Sequence, residues 1–282
     1  MRIAYQGEIG AFSEAAARRM HADADLVPCR SFEEVFGAVD AGPAAYGVLP
    51  IENSIGGSIH RNYDLLVEHQ LPIVAEVGLP VVHHLLALPG AAIGQLRRIY
   101  SHPQGLAQCE RFLRTLSGVE IVATYDTAGS AKMVADERLA DAGAIASARA
   151  GEVFGLVPLA SGIQDYDDNI TRFIVIGRRP LDDTPADKTT IAFTVPNVPG
   201  ALFKALSVFA LRDVDLTKLE SRPIPGRPWE YLFYADLGVA RDELRCARAL
   251  GHLAEFAPML RVLGSYASWK AREKPTSAEV AS

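Results

Sequence analysis

The run Asn169-Ile170-Thr171-Arg172-Phe173 sets a hydroxyl, a fixed cation and an aromatic ring side by side, and leads straight into the apolar stretch Ile174-Val175-Ile176. Consecutive side chains of a strand point to opposite faces, so Thr171 and Phe173 share one face. Arg172 must then reach around the edge, or the strand must begin only after it. A guanidinium there can hold a carboxylate through two parallel hydrogen bonds, and the neighbouring hydroxyl can donate to a second oxygen. Together they suit a small anion that carries a leaving hydroxyl group. Alone, the same tripeptide also fits a surface arginine at an ordinary strand start.

Other polar groups cluster where strands give way to helices. In Pro50-Ile51-Glu52-Asn53-Ser54-Ile55-Gly56-Gly57-Ser58, residues Asn53, Ser54 and Ser58 flank a glycine-rich turn that opens a helix. Backbone N–H groups and hydroxyls at such a start form an anion site without lysine. Glu52 either braces this loop or Arg61, or touches a ligand. Ser101-His102-Pro103-Gln104 is a second strand-to-helix junction, where His102 reads as a donor, a proton relay or a helix cap. Asp126-Thr127-Ala128-Gly129-Ser130 is a third, offering Thr127 and Ser130 as polar contacts. His83 and His84, adjacent in a strand, face opposite sides and read as structural, as do His21, His69 and His252 in polar helical settings. Gly7-Glu8-Ile9-Gly10 lacks the spacing and the later lysine of a nucleotide loop.

The elements that must position these groups follow from periodicity. Strands are expected at Ile3–Tyr5, Tyr46–Leu49, Ile73–Leu79, Val81–Leu88, Arg98–Ser101, Val119–Thr124 and Ala144–Ala146. Helices between them start at Ser13 as N-cap, at Ser31 in capping-box fashion, after Gly56-Gly57-Ser58, and over Gln104–Leu116 and Thr127–Leu139. This alternation implies α/β layers with largely parallel sheets. After the linker-like Pro180–Asp187 the order becomes β-α-β-β-α-β, a ferredoxin-like arrangement. From Ala271 the chain reads as a disordered tail.

Composition narrows the class. The 282 residues leave room for two domains, and 49% hydrophobic with 22% charged content is that of an ordinary globular protein. A net charge of −6 disfavours nucleic acid as a partner. No apolar run approaches the ~20 residues that span a bilayer, and the N-terminus lacks a signal peptide's apolar core. Cys29, Cys109 and Cys246 lie far apart with no C-x-x-C, which points to a reducing cytoplasm and away from disulfides or zinc.

With Glu220-Ser221-Arg222-Pro223, the motifs above occur in an order that resembles the prephenate dehydratase family with its C-terminal ACT regulatory domain, over residues 2–268. The runs 57–64 and 260–266 look especially like its arogenate dehydratase branch. The resemblance implies a two-lobed, solute-binding-protein-like α/β catalytic domain over 1–180, with lobes of 1–79 plus 159–180 and of 80–158. A ferredoxin-like ACT domain would follow over 188–268, and a tail over 269–282. The implied reaction is loss of CO2 and hydroxide from prephenate, giving phenylpyruvate, or from arogenate, giving phenylalanine, with no cofactor and no metal. Thr171 would donate to the leaving oxygen, Arg172 would bind a carboxylate and Phe173 would form a wall. Asn53, Ser54, Ser58, His102, Gln104, Thr127, Ser130 and Asn169 would contact substrate. Asp165, Asp167 and Asp168 either meet the ammonium of arogenate or solvate a loop. Phenylalanine would bind between two ACT domains at Asn197, Gly200, Ala201 and Leu202 of one and Glu220, Ser221, Arg222 and Pro223 of the other, implying a homodimer or homotetramer. Phe203 departs from the family's usual valine. No mutase helix precedes the first strand, so a monofunctional cytoplasmic enzyme is expected. The competing class is a catalytically inactive amino-acid-sensing binding protein of the same fold.

Overall fold

The computed structural model describes residues 1–224 and 226–272, and the alternation of short apolar strands and helices builds three sheets. The first contains β1 (Arg2–Gln6), β2 (Asp25–Cys29), β3 (Tyr46–Asn53), β4 (Gly57–Ser58), β5 (Ile73–Pro80) and, far along the chain, β11 (Ile170–Gly177). Its order is β2-β1-β3-β11-β5, with β4 beside β3. The second contains β6 (His84–Ala87), β7 (Arg98–Ser101), β8 (Glu120–Ala123), β9 (Ala142–Ala146) and β10 (Val157–Ser161), ordered β10-β6-β9-β7-β8. Strand β9 is buried at every position, as a central strand covered on both faces must be. Its Ala142, Ala144 and Ala146 pack with Ala128 and Ala131, while Ile145 packs on the other side with Ile99 and Cys109.

The helices of this part are α1 (Phe12–Met20), α2 (Phe32–Asp40), α3 (His60–His69), α4 (Pro103–Ala107), α5 (Glu110–Leu113), α6 (Thr127–Asp136) and α7 (Ala148–Phe154). Helix α2 starts as its sequence predicts: the Ser31 hydroxyl accepts from Glu34 N, and Val35, Phe36 and Val39 are buried. Helix α1 differs. Its N-cap is Ala11 and Ser13 lies buried inside it, because the Glu14 carboxylate, not the serine, takes the free N–H of Gly10. The single helix expected over 104–116 is broken into α4 and α5 at Gln108 and Cys109, where the Gln108 side chain turns into a buried hydrogen-bond network. The strand expected over 81–88 shrinks to β6, since the backbone of His83 is bonded to the Gln164 side chain instead of a ladder.

The third sheet contains β12 (Lys188–Thr194), β13 (Leu216–Pro223), β14 (Tyr231–Leu237) and β15 (Met259–Tyr266), ordered β13-β14-β12-β15 and antiparallel throughout. With α8 (Ala201–Ala210) and α9 (Leu244–Ala254) it forms the expected β-α-β-β-α-β pattern. Phe193, Val208, Phe209 and Leu253 are fully buried between helices and sheet, each worth roughly 1.5–3 kcal/mol. The expected tail begins with order: α10 (Trp269–Arg272) is helical, held by Trp269 N to Glu76 and by the Arg272 guanidinium to Asp182. The rest of the expected tail, 273–282, lies outside the described residues.

Judged by which residues touch, the chain forms two units, Met1–Asn62 with Val77–Phe173, and Tyr63–Glu76 with everything from Ile174 onward. The second unit therefore takes in more than the β-α-β-β-α-β segment. Its Lys188 Nζ lies 2.9 and 3.0 Å from the two oxygens of Glu76, whose side chain is wholly buried. Removing one partner of such a pair strands a charge in low dielectric. Lys188→Met should therefore cost about 3–5 kcal/mol in chemical denaturation. Adding Glu76→Leu should recover part of that loss; a double variant no more stable than Lys188→Met would show that the pair is not what the site depends on.

Candidate active site

Within the first unit lies a cavity of about 470 Å3. It is lined by the ends of β1 and β3, by one face of β11, and by the starts of α1, α2, α4 and α6. Each helix start carries a partial positive charge from its unpaired N–H groups. Convergence of several such ends gives the cavity a bias toward anions although the chain as a whole is acidic. Arg30 is the one Lys or Arg side chain among the lining residues; Glu33 and Asp126 are the carboxylates there.

Strand β11 begins at Ile170, before the arginine, so alternation decides where the tripeptide points. Thr171 and Phe173 are buried and line the cavity. Arg172 is thrown to the opposite face, where its Nε lies 3.7 Å from Glu52 Oε2. It does not line the cavity, which departs from the carboxylate contact expected of it. Glu52 thus braces Arg172, and Arg61 pairs with Glu33 at 2.8 Å.

Asn53 is placed by the sequence at a substrate contact, but its amide is spent on the protein. Its Oδ1 accepts from Ile55 N at 3.1 Å, Gly56 N at 2.7 Å and Gln108 Nε2 at 3.1 Å. Its Nδ2 donates to Asn169 Oδ1 at 2.7 Å and to Thr171 Oγ1 at 2.9 Å. Asn169 is itself buried and faces this amide instead of the cavity. Ser54 is likewise committed: its hydroxyl accepts from Ile170 N and donates to Asp168 O, both at 2.9 Å, tying the loop to the start of β11. Ser58 is half-buried on β4, away from the lining. Ser130 is buried inside α6 and donates to Asp126 O at 2.7 Å.

His102, Gln104 and Thr127 do line the cavity. His102 caps α4, with Nδ1 accepting from Gln104 N at 3.2 Å, so in the neutral ring the proton sits on Nε2. Asp126 caps α6 through Gly129 N. A Cβ at position 56 would lie 2.0 Å from Gln104 Nε2, so any larger residue there has to displace the Gln104 side chain. Asp165 accepts from Arg111 N at 3.1 Å and lies 3.6 Å from Arg111 Nε.

Two further residues belong to the site: Gln108, which the sequence did not single out, and His83, which was read as structural. Gln108 and His83 both line the cavity, are 8% and 2% exposed, and meet at 2.9 Å between Gln108 Oε1 and His83 Nε2. The signal for Gln108 was its spacing four residues after Gln104, on the same helix face. Burial pushes the imidazole of His83 down from its ordinary 6.5, against a smaller upward pull from Gln108. Burial does the same to His102, opposed by Asp126.

The residues expected to bind an effector lie in the second unit. Gly200 stands at the start of α8 with φ +78°, a conformation that favours glycine. Asn197 precedes it in the exposed turn, Ala201 is half-buried, and Leu202 backs onto the core. Phe203 is 78% exposed. Glu220, Ser221, Arg222 and Pro223 lie on the edge strand β13, where alternation sets Glu220 and Arg222 on the half-buried face and Ser221 and Pro223 on the exposed one. Arg222 donates to Asp64 Oδ2 at 2.8 Å.

The sequence model of the prephenate dehydratase family matches residues 3–181, and that of the ACT domain residues 189–245. Arogenate dehydratase 2 of Petunia hybrida is 49% identical over 95% of this chain and 72% of its own. A solved prephenate dehydratase from Arthrobacter aurescens, in complex with L-Phe, superposes with a TM-score of 0.87 at 33% identity, covering 99% of this chain and 94% of that one. A structure described as GqqA, a novel type of quorum-quenching acylase, also gives 0.87, at 36% identity over 97% of this chain and 100% of that one.

His83, buried, and His102, half-buried, give this unit a pH dependence of definite sign. His83 and His102 have folded pKa values below the ordinary 6.5, so under that pH the unfolded chain binds protons that the folded one refuses. Their contribution is complete above about pH 6.5 and is lost as pH falls toward the folded values. The denaturation midpoint should drop from pH 7 to pH 5, and the drop should be shallower in His83→Gln. Equal slopes in the two proteins would mean that His83 protonates freely in the folded state.

Proposed function

We propose that this chain, which belongs to the prephenate dehydratase family, removes carbon dioxide and hydroxide from prephenate or arogenate under the control of phenylalanine. It is a lyase of phenylalanine biosynthesis whose dehydratase segment is followed by an ACT domain. In the reaction the bond from the ring to the carboxylate breaks. Its electron pair completes the aromatic ring as the C–O bond to the ring hydroxyl breaks, and the departing oxygen takes a proton to leave as water. Aromatisation drives the step, so the protein need only hold the anion and supply donors to the leaving oxygen.

The observation that carries this reading is the hydrogen bond from Asn53 Nδ2 to Thr171 Oγ1. A hydroxyl that accepts there is left with its proton to give, and Thr171 lines the cavity. His102 Nε2–H is a second donor in the lining. The helix starts suit the substrate's carboxylates, Phe173 supplies a flat apolar wall, and Arg30 brings the one guanidinium. An acyl-transfer reading lacks comparable support, because the group on Thr171 Oγ1 is an amide, which cannot take its proton as the histidine of a hydrolase triad does. The inactive sensor expected as an alternative would have no need of a cavity hydroxyl held as a donor.

The domains assigned are 1–180 for catalysis and 188–268 for regulation. A homodimer or homotetramer follows from an effector site shared between two ACT domains. A cytoplasmic location is in keeping with Cys29, Cys109 and Cys246, all free and buried. Among the described residues no helix is long and apolar enough to cross a membrane.

Thr171→Val keeps the shape of the side chain and removes its hydroxyl. It should lower kcat by roughly 10²-fold or more with prephenate or arogenate, because the lost donor acts as the C–O bond breaks. Phenylpyruvate absorbance and phenylalanine release provide the two assays. A folded variant with normal kcat would take Thr171 out of the mechanism.

For regulation, calorimetry should register phenylalanine binding to the wild type. Gly200→Val, strained at a positive φ, should abolish it while turnover without effector persists. Absence of binding heat at several temperatures, with no change in activity, would rule out the regulatory assignment.

A further inference from the structure

Four buried or half-buried side chains from distant parts of the sequence form one directed chain of hydrogen bonds that ends on Thr171. The direction is set at Asn53. Two backbone N–H groups, of Ile55 and Gly56, point at one end of its amide, which must therefore be the oxygen. Gln108 approaches the same oxygen at 3.1 Å and must present its NH2. The Gln108 oxygen is then the atom facing His83 Nε2 at 2.9 Å, so that nitrogen carries the proton. His83 Nδ1, buried and without a hydrogen-bond partner, is the bare nitrogen of a neutral ring. Read outward from His83, each group donates to the next, and the last donation is from Asn53 Nδ2 to Thr171 Oγ1 at 2.9 Å.

We propose that Gln108 and His83 are positioning residues that lock the Asn53 amide, so that the Thr171 hydroxyl can only accept from Asn53 and must donate into the cavity. The inference rests on the reading of Thr171 as the donor to the leaving oxygen. Were the Asn53 amide to turn over, its oxygen would face Thr171 Oγ1, the hydroxyl proton would be drawn to it, and the donor would be lost to substrate. The amide would also face Asn169 Oδ1 with a second oxygen and two backbone N–H groups with its own NH2. The Gln108 side chain blocks that turn with a third donor on the oxygen. His83 in turn prevents Gln108 from rotating, since a turned Gln108 would set NH2 against the Nε2–H of His83. Gln108 thus adds to the two backbone donors, and none of the described residues takes the Thr171 proton, which is left for a ligand in the cavity.

A double-mutant cycle on the full-length protein separates this role from simple packing. Gln108→Met has nearly the same shape and no hydrogen bonds. In the wild-type background it should lower kcat roughly tenfold or more, the scale of one buried hydrogen bond, with KM changed less than about threefold. In the Thr171→Val background it should lower kcat by no more than about twofold, since there is no hydroxyl left to aim. An equal loss in both backgrounds, or no loss in wild type, would falsify the positioning role. If Gln108→Met does not fold, Gln108→Leu carries the same cycle, since it neither donates to Asn53 nor accepts from His83. A Thr171→Val protein with undiminished kcat is a separate outcome: it overturns the donor reading itself, and this inference with it.

Discussion

The amide of Asn53 is the point on which the first unit closes. It lies at the end of β3, and its partners are two backbone N–H groups of the following turn, Gln108 from the break between α4 and α5, and Asn169 and Thr171 from the start of β11. A buried amide left without partners costs about 1–3 kcal/mol per lost bond. All these segments must therefore arrive together or the core of the site carries unpaid polar groups. The break in the helix at Gln108, the turn at Ile55-Gly56 and the entry of β11 beside β3 are the geometric answers to that one requirement.

That constraint also explains how an acidic chain can hold an anionic substrate. Several polar side chains beside the cavity hold the loops, as Ser54 does between Asp168 and Ile170. The field for the anion comes from backbone dipoles at the helix starts, which do not move when charge redistributes in the reaction, and from the single guanidinium of Arg30. His102 and Asp126 show the economy: each caps a helix start and at the same time lines the cavity.

The second unit is organised around different buried polar groups. Glu76 of β5 is met by Lys188 of β12 and by the backbone N–H of Trp269. Arg261 donates to the carbonyl of Val67 at 2.6 Å, and Gly264 lies so close to Ile73 that a Cβ would fall 2.2 Å from its carbonyl oxygen. Residues 63–76 are thus built into the same unit as the β-α-β-β-α-β segment. Arg222, assigned to the effector site, is engaged by Asp64 from this stretch, so a ligand carboxylate at Arg222 has to compete with one already there.

The sequence by itself determined the family, the βα alternation, the β-α-β-β-α-β order at the C-terminal end, and the pairing of Thr171 with Phe173 on one face. These follow from local periodicity and from motifs whose order along the chain is itself the signal. Tertiary structure decided which motif residues touch the cavity. Arg172 was read as a ligand contact, but β11 already runs from Ile170, and alternation turns Arg172 to Glu52. Asn53 does line the cavity but spends its amide on the protein, and Ser54, Ser130 and Asn169 were read as contacts because of their polarity, yet polarity does not say whether a donor serves a ligand or another loop. The meeting of Gln108 with His83 and Asn53 escaped the sequence for the same reason: 25 residues separate the first two, and 55 separate Gln108 from Asn53. Only the folded chain brings their atoms within hydrogen-bond reach, and hydrogen bonds fall off within an ångström of that distance.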